Sequence, residues 1–99
     1  MSQFDVYAGV GRSGRLVVDL QSGILEPIAT RIVASLFLRS EAPALTEPTP
    51  SARLGGREFI VMIPLLASVP VRELQRPAGS LVSDQDAIKR ALDVLSLGF

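Results

Sequence analysis

Residues 84–99, DQDAIKRALDVLSLGF, hold the only convincing helical pattern in this chain. Ala87, Ile88, Ala91, Leu92 and Leu95 recur at three- and four-residue spacing and form one apolar face. Ser83 stands where a helix cap is wanted, with Asp86 three residues on, and Asp84 and Asp86 suit the positive end of the helix dipole. Asp86 and Arg90 are four apart in the favourable order, Lys89 and Asp93 in the reverse order, each pair worth a few tenths of a kcal/mol. Gly98 sits where a terminating glycine belongs. Everything before this stretch has to find its fold mainly in strands. The helix also ends on Leu97 and Phe99, two large apolar residues at a chain end, where water normally reaches. They either dock back on the core or meet another protein.

The preceding residues read as antiparallel strands. Residues 3–8 alternate, with Phe4 and Val6 on one face. Gly9-Val10-Gly11-Arg12-Ser13-Gly14 spells the dinucleotide-binding pattern, but that reading needs a helix directly after it. Residues 15–21, which come next, are β-branched and strand-like, so the glycines mark a hairpin loop. Ser22 and Gly23 end the second strand. Ile24 and Leu25 then sit together at a turn, where burial at the end of a core explains one apolar residue more readily than two. Residues 28–38 could be helix or strand by periodicity alone, and Ile32, Val33 and Phe37 favour a strand over residues 31–38. Residues 39–50 hold three of the seven prolines and read as an exposed loop. Gly55 and Gly56, between strand-like runs, are a strong signal of a two-residue hairpin. Pro64 is expected to limit the strand after that hairpin. Residues 67–71 are extended ahead of and through Pro70, and residues 72–76 form a turn or short strand ended by Pro77. The fold class is therefore mostly β, with one C-terminal helix packed on the sheet, in a single domain over residues 1–99.

Composition narrows the chemistry. There is no histidine and no cysteine, which removes the commonest general base, the commonest metal ligand and any disulfide. The single lysine, Lys89, lies on the polar helix face, and the ten acidic residues are scattered. No positioned acid–base pair, nucleophile or metal set emerges, so a binding protein is expected rather than an enzyme, with no cofactor and no metal. Ten basic residues balance ten acidic ones, which argues against direct nucleic-acid binding. No leader is expected at the N-terminus, and the most apolar run, residues 59–71, is broken by Pro64 and Pro70 and is too short to span a bilayer. A cytoplasmic protein with no membrane contact is expected. The hydrophobic fraction of 47% is high for so small a chain and favours a homo-oligomer.

Several stretches resemble the CcdB toxins of bacterial toxin–antitoxin modules. They are Gln3-Phe4-Asp5-Val6-Tyr7, then Arg15-Leu16-Val17-Val18-Asp19-Leu20-Gln21-Ser22 with Ile24-Leu25 behind it, and Arg31-Ile32-Val33. Leu66-Ala67-Ser68-Val69-Pro70-Val71, the most specific of them, and the tail from Ile88-Lys89-Arg90-Ala91 to Gly98 complete the set. The resemblance implies an SH3-like antiparallel barrel or sheet with a small second sheet, a terminal helix and a symmetric homodimer. It implies a toxin that binds the DNA gyrase A subunit, traps the cleaved-DNA complex and is neutralised by a cognate CcdA-like antitoxin. Carried onto this chain, the gyrase-binding residues are Ile24, Leu25, Asp93, Leu97, Gly98 and Phe99. The antitoxin-binding residues are Ala8, Gly9, Val10, Gly11, Arg12, Ser13, Gly14 and Arg15.

The chain departs from the family at its end. Family members read aromatic-Trp-Gly-Ile there, after an Asn on the helix. This chain has Ser96, Leu97, Gly98 and Phe99, after Asp93. A tryptophan anchor can carry several kcal/mol of binding. Two alternatives arise: a diverged CcdB-fold protein with weak or lost gyrase poisoning that mainly binds an antitoxin, and a ribonuclease like the MazF and Kid toxins, with Arg12, Arg15 and Arg31 lining a groove.

Overall fold

The computed structural model describes residues 3–11, 14–21, 30–42 and 49–97, with side chains as far as Val94 in the final helix. Among the described residues six strands form: β1 (Asp5–Val10), β2 (Arg15–Asp19), β3 (Thr30–Leu38), β4 (Ser51–Leu54), β5 (Arg57–Pro70) and β6 (Pro77–Ser80). A single α-helix, α1 (Gln85–Leu97), closes the described chain. The strands make one sheet in the order β4-β5-β3-β2-β1-β6, every neighbouring pair antiparallel. The sheet curls until its two edges meet. A Cβ built on Gly79 of β6 would stand 2.5 Å from Leu54 Cδ1 of β4.

Both glycine-marked turns are hairpins. Val10 pairs with Arg15 across the first, and Leu54 pairs with Arg57 across the second. Gly55 and Gly56 have φ of 60° and 79°, the paired left-handed conformation of a type I′ turn. At the other end of β1, Gln3 and Phe4 form a turn rather than the start of the strand. Phe4 has φ of 74°, a conformation a bulky residue adopts only under constraint. Its N–H donates to Asp19 O at 2.6 Å, its carbonyl accepts from Leu81 N at 2.8 Å, and its ring is buried.

Pro64 does not end its strand, contrary to expectation: β5 runs on to Pro70. The pairing explains why. Ala34 faces Leu66 and Leu36 faces Val61, so residues 62–65 bulge opposite the single residue Ser35. Proline lacks a donor, and a bulge is where the ladder needs none. The bulge also divides the sheet into two limbs. The small second sheet implied by the resemblance corresponds to β4 with the near part of β5 and the end of β3, hydrogen-bonded continuously with the main limb.

The sheet is lined by apolar residues on both faces. On one face Val6 pairs with Val18 and Val18 with Ala34, and this stripe joins Phe4, Leu36, Val61, Ile63 and Leu81 in the main core. Ile88 and Ala91 of α1 complete it. On the other face Tyr7, Val10, Val17, Val33 and Leu74 form a second cluster. Ser83 lies inside a 3₁₀ turn, Val82–Asp84, that leads into α1. Gln85 N–H donates to Val82 O, so the turn's own carbonyl satisfies a donor that Ser83 was expected to help cap. Among the described residues no helix is long and apolar enough to cross a membrane.

Candidate functional site

Helix α1 divides by its spacing. Ile88 and Ala91 are buried, with Leu92 packed beside them, while Asp86, Lys89, Arg90, Asp93 and Val94 face outward. Lys89 Nζ lies 5.8 Å from the centroid of the Phe4 ring, within cation–π range. Arg90 Nε donates to Asp86 O at 3.3 Å, so it reaches the helix main chain. Of the six residues expected to meet gyrase, Asp93 is exposed on the helix and Leu97 is its last residue. Ile24, Leu25, Gly98 and Phe99 lie outside the described residues, as does the side chain of Leu97.

The β1–β2 loop is the expected antitoxin site. Ala8, Gly9, Gly11, Gly14 and Arg15 are brought together around the hairpin end. Val10 instead turns inward and is buried in the second cluster. Arg12 and Ser13 lie outside the described residues. The Arg15 guanidinium is 3.8 Å from the centroid of the Phe37 ring. The loop is tied to a segment for which the sequence suggests no role, the 3₁₀ turn Val71–Glu73 and the residues after it. Gly11 N–H donates to Glu73 Oε1 at 3.1 Å, and Ala8 N–H donates to Arg76 O at 2.8 Å.

Sequence reasoning also missed a buried ion pair. Arg31 reaches Asp19 through Nε at 3.0 Å and Nη2 at 2.9 Å, and both residues are buried. Arg31 Nη2 also donates to Gln21 O at 2.8 Å, and Gln21 N–H donates to Asp19 Oδ1 at 3.0 Å. The signal was present: Asp19 alternates with Val17 on an inward face, and Arg31 with Val33. Tyr7 stands near this network. Burial pushes its hydroxyl above the ordinary tyrosine range, the carboxylates of Asp5 and Asp19 push the same way, and Arg31 opposes them. This arrangement corrects one expectation. Arg31 is committed to Asp19 beneath the surface and does not line a groove with Arg12 and Arg15.

Between edge strand β4, the start of β5 and the 3₁₀ turn before α1, a cleft of about 230 Å³ is lined by Ser51, Ala52, Arg53, Glu58 and Asp84. Asp84 Oδ2 accepts from Arg53 N–H across it at 3.4 Å, and Glu58 pairs with Arg39 at 3.1 Å. Among the described residues no group of three or more acidic side chains is placed to hold a metal ion.

Compared with known proteins, residues 3–98 match the family model described as CcdB protein. No curated protein matches the chain.

Proposed function

The chain belongs to the CcdB family, and from that premise we propose that it poisons DNA gyrase. As a member of that family it is a toxin with an antitoxin partner, and it acts by binding rather than by catalysis. The proposed target is the gyrase A subunit. Binding the state in which DNA is cleaved more tightly than the resealed state shifts the population toward breakage, which needs no reactive group on the toxin. The observation that carries this reading is the extent of the family match, which runs through α1 and as far as Gly98. It therefore includes the segment through which family members meet gyrase. The contact residues are Ile24, Leu25, Asp93, Leu97, Gly98 and Phe99, and the loop 8–15 faces a CcdA-like antitoxin.

The working form is a cytoplasmic homodimer of a single domain spanning residues 1–99. Exposed Ile32 of β3 and exposed Leu65 and Leu66 of β5 support self-association. Leu66 faces Ala34, two residues along β3 from Ile32, so the Ile32 and Leu66 side chains share a face of the sheet. A two-fold dimer would cover them with the same residues of a second copy.

A second reading rests on the tail. Ser96 and Leu97 replace an aromatic–tryptophan pair, which favours a protein that holds its antitoxin tightly and poisons gyrase weakly. Expression in bacteria separates the two. Poisoning predicts growth arrest with DNA-damage induction, relieved by co-expressed antitoxin. Normal growth, together with a stable toxin–antitoxin complex, would select the second reading.

A further inference from the structure

We propose that Asp84 guards an open sheet edge: its carboxylate occupies the outer side of β4 and keeps that strand from pairing with β4 of a second copy. β4 is the last strand of the sheet and, among the described residues, pairs only with β5. Val61 N–H donates to Pro50 O at 2.8 Å, which makes Pro50 and Val61 a hydrogen-bonded pair. By alternation the next bonded pairs are Ala52 with Phe59 and Leu54 with Arg57. The main-chain groups of Ser51 and Arg53 therefore point away from β5, toward the cleft that these residues line. Outward donors and acceptors on an edge strand are a template for another strand.

Asp84 is aimed at this edge from the core side. Its N–H donates to Leu81 O at 2.9 Å, Leu81 N–H donates to Phe4 O at 2.8 Å, and Phe4 and Leu81 are both buried. The turn before α1 thus sets the carboxylate in place, and Oδ2 accepts from the outward Arg53 N–H at 3.4 Å. The far end of β4 is covered differently: Leu54 packs so closely on Gly79 of β6 that a Cβ there would stand 2.5 Å from Leu54 Cδ1. Residues 51–53 are the part left for another strand. They suit a second copy of this chain. In an antiparallel pair with its two-fold axis at Ala52, Ser51 of each copy faces Arg53 of the other, both positions present their main-chain groups outward, and no like charges are opposed. The guard closes this register by occupying the Arg53 donor.

The test follows the size of the whole chain by sedimentation velocity and the exchange of the Arg53 amide by NMR. Asp84→Ala should form species larger than those of the parent at roughly ten-fold lower concentration. Asp84→Ser keeps a capping side chain before the helix but falls one atom short of the edge, so it should associate in the same way and serves where the alanine variant loses its fold. Asp84→Asn, which still offers an acceptor oxygen, should keep the parent's size and slow Arg53 exchange. Arg53→Pro added to Asp84→Ala removes the outward donor at a position where an edge strand tolerates proline, and should return the protein to the parent's size. Asp86→Ala removes a charge from the same helix start without touching the edge and should leave size unchanged. Parent-like size in both the alanine and the serine variant would overturn the inference. So would association that survives Arg53→Pro, or that Asp84→Asn or Asp86→Ala produces equally.

Discussion

Replacing Ile88 by alanine should loosen α1 from the sheet without touching any exposed charge. Ile88 is fully buried and joins the helix to Val61, Ile63 and Leu81. The substitution removes three carbons, a transfer loss of about 2.4 kcal/mol at roughly 0.8 kcal/mol per buried methylene. The cavity left behind adds to this, and Ile→Ala at such sites costs about 2–5 kcal/mol. Alanine returns a few tenths of a kcal/mol through better helix propensity. The net expectation is about 3 kcal/mol, which at roughly 4–8 °C per kcal/mol for a chain of this size lowers Tm by about 12–24 °C. Urea unfolding followed by circular dichroism should show a lower midpoint with an unchanged slope. Val94→Ala, on the exposed side of the same helix, is the control and should cost less than about 1 kcal/mol. A cost below about 1 kcal/mol at Ile88, or one equal to that at Val94, would refute the claim that this residue anchors the helix.

Three further outcomes are expected from the same structure. Tyr7 is the only tyrosine, so tyrosinate absorbance reports it alone. Its raised pKa means the folded state prefers the neutral ring, a contribution complete below about pH 10 and lost as pH rises through the higher folded value. Tyr7→Phe should therefore flatten the alkaline loss of stability, and a titration midpoint below the ordinary value would contradict this. Asp19→Ala deprives buried Arg31 of its carboxylate and should cost about 3–5 kcal/mol in urea unfolding, whereas Asp19→Leu combined with Arg31→Met should recover most of that. Replacing Gly55 and Gly56 by alanine should cost about 1–2 kcal/mol per residue, because both hold left-handed φ, and Gly55→Asn should be tolerated; urea unfolding checks each variant.

The elements legible in the sequence were those whose signal is local. Helix α1 declares itself through Ile88 and Ala91, and the second hairpin through Gly55 and Gly56, because spacing and turn chemistry need no partner to be recognised. The G-x-G-x-x-G stretch reads correctly as a hairpin once the strand after it is noticed. The features that stayed hidden depend on pairing. Pro64 signals a strand end until β3 is laid beside it and residues 62–65 are seen to bulge. Strand β6, Pro77–Ser80, is four small exposed residues with no alternation, a strand only because β1 offers its edge. The Asp19–Arg31 pair and the Glu73 contact to Gly11 join residues 12 and 62 positions apart, which no local pattern reveals. The candidate gyrase contacts rest on the family likeness, with Asp93 the one whose side chain is placed, on the outer face of α1.

Gyrase-dependent DNA cleavage by the purified protein tests the central proposal most directly. Supercoiled plasmid, gyrase and ATP should yield linear DNA when the full chain is added, and no excess when a chain lacking residues 97–99 is added instead. The truncated chain should remain folded by circular dichroism, since Ile88 and Ala91, the buried residues of α1 among those described, lie well before the cut. Plasmid left intact by the full chain at concentrations where it binds its antitoxin would contradict the gyrase proposal, and cleavage retained after the truncation would contradict the role given to the tail.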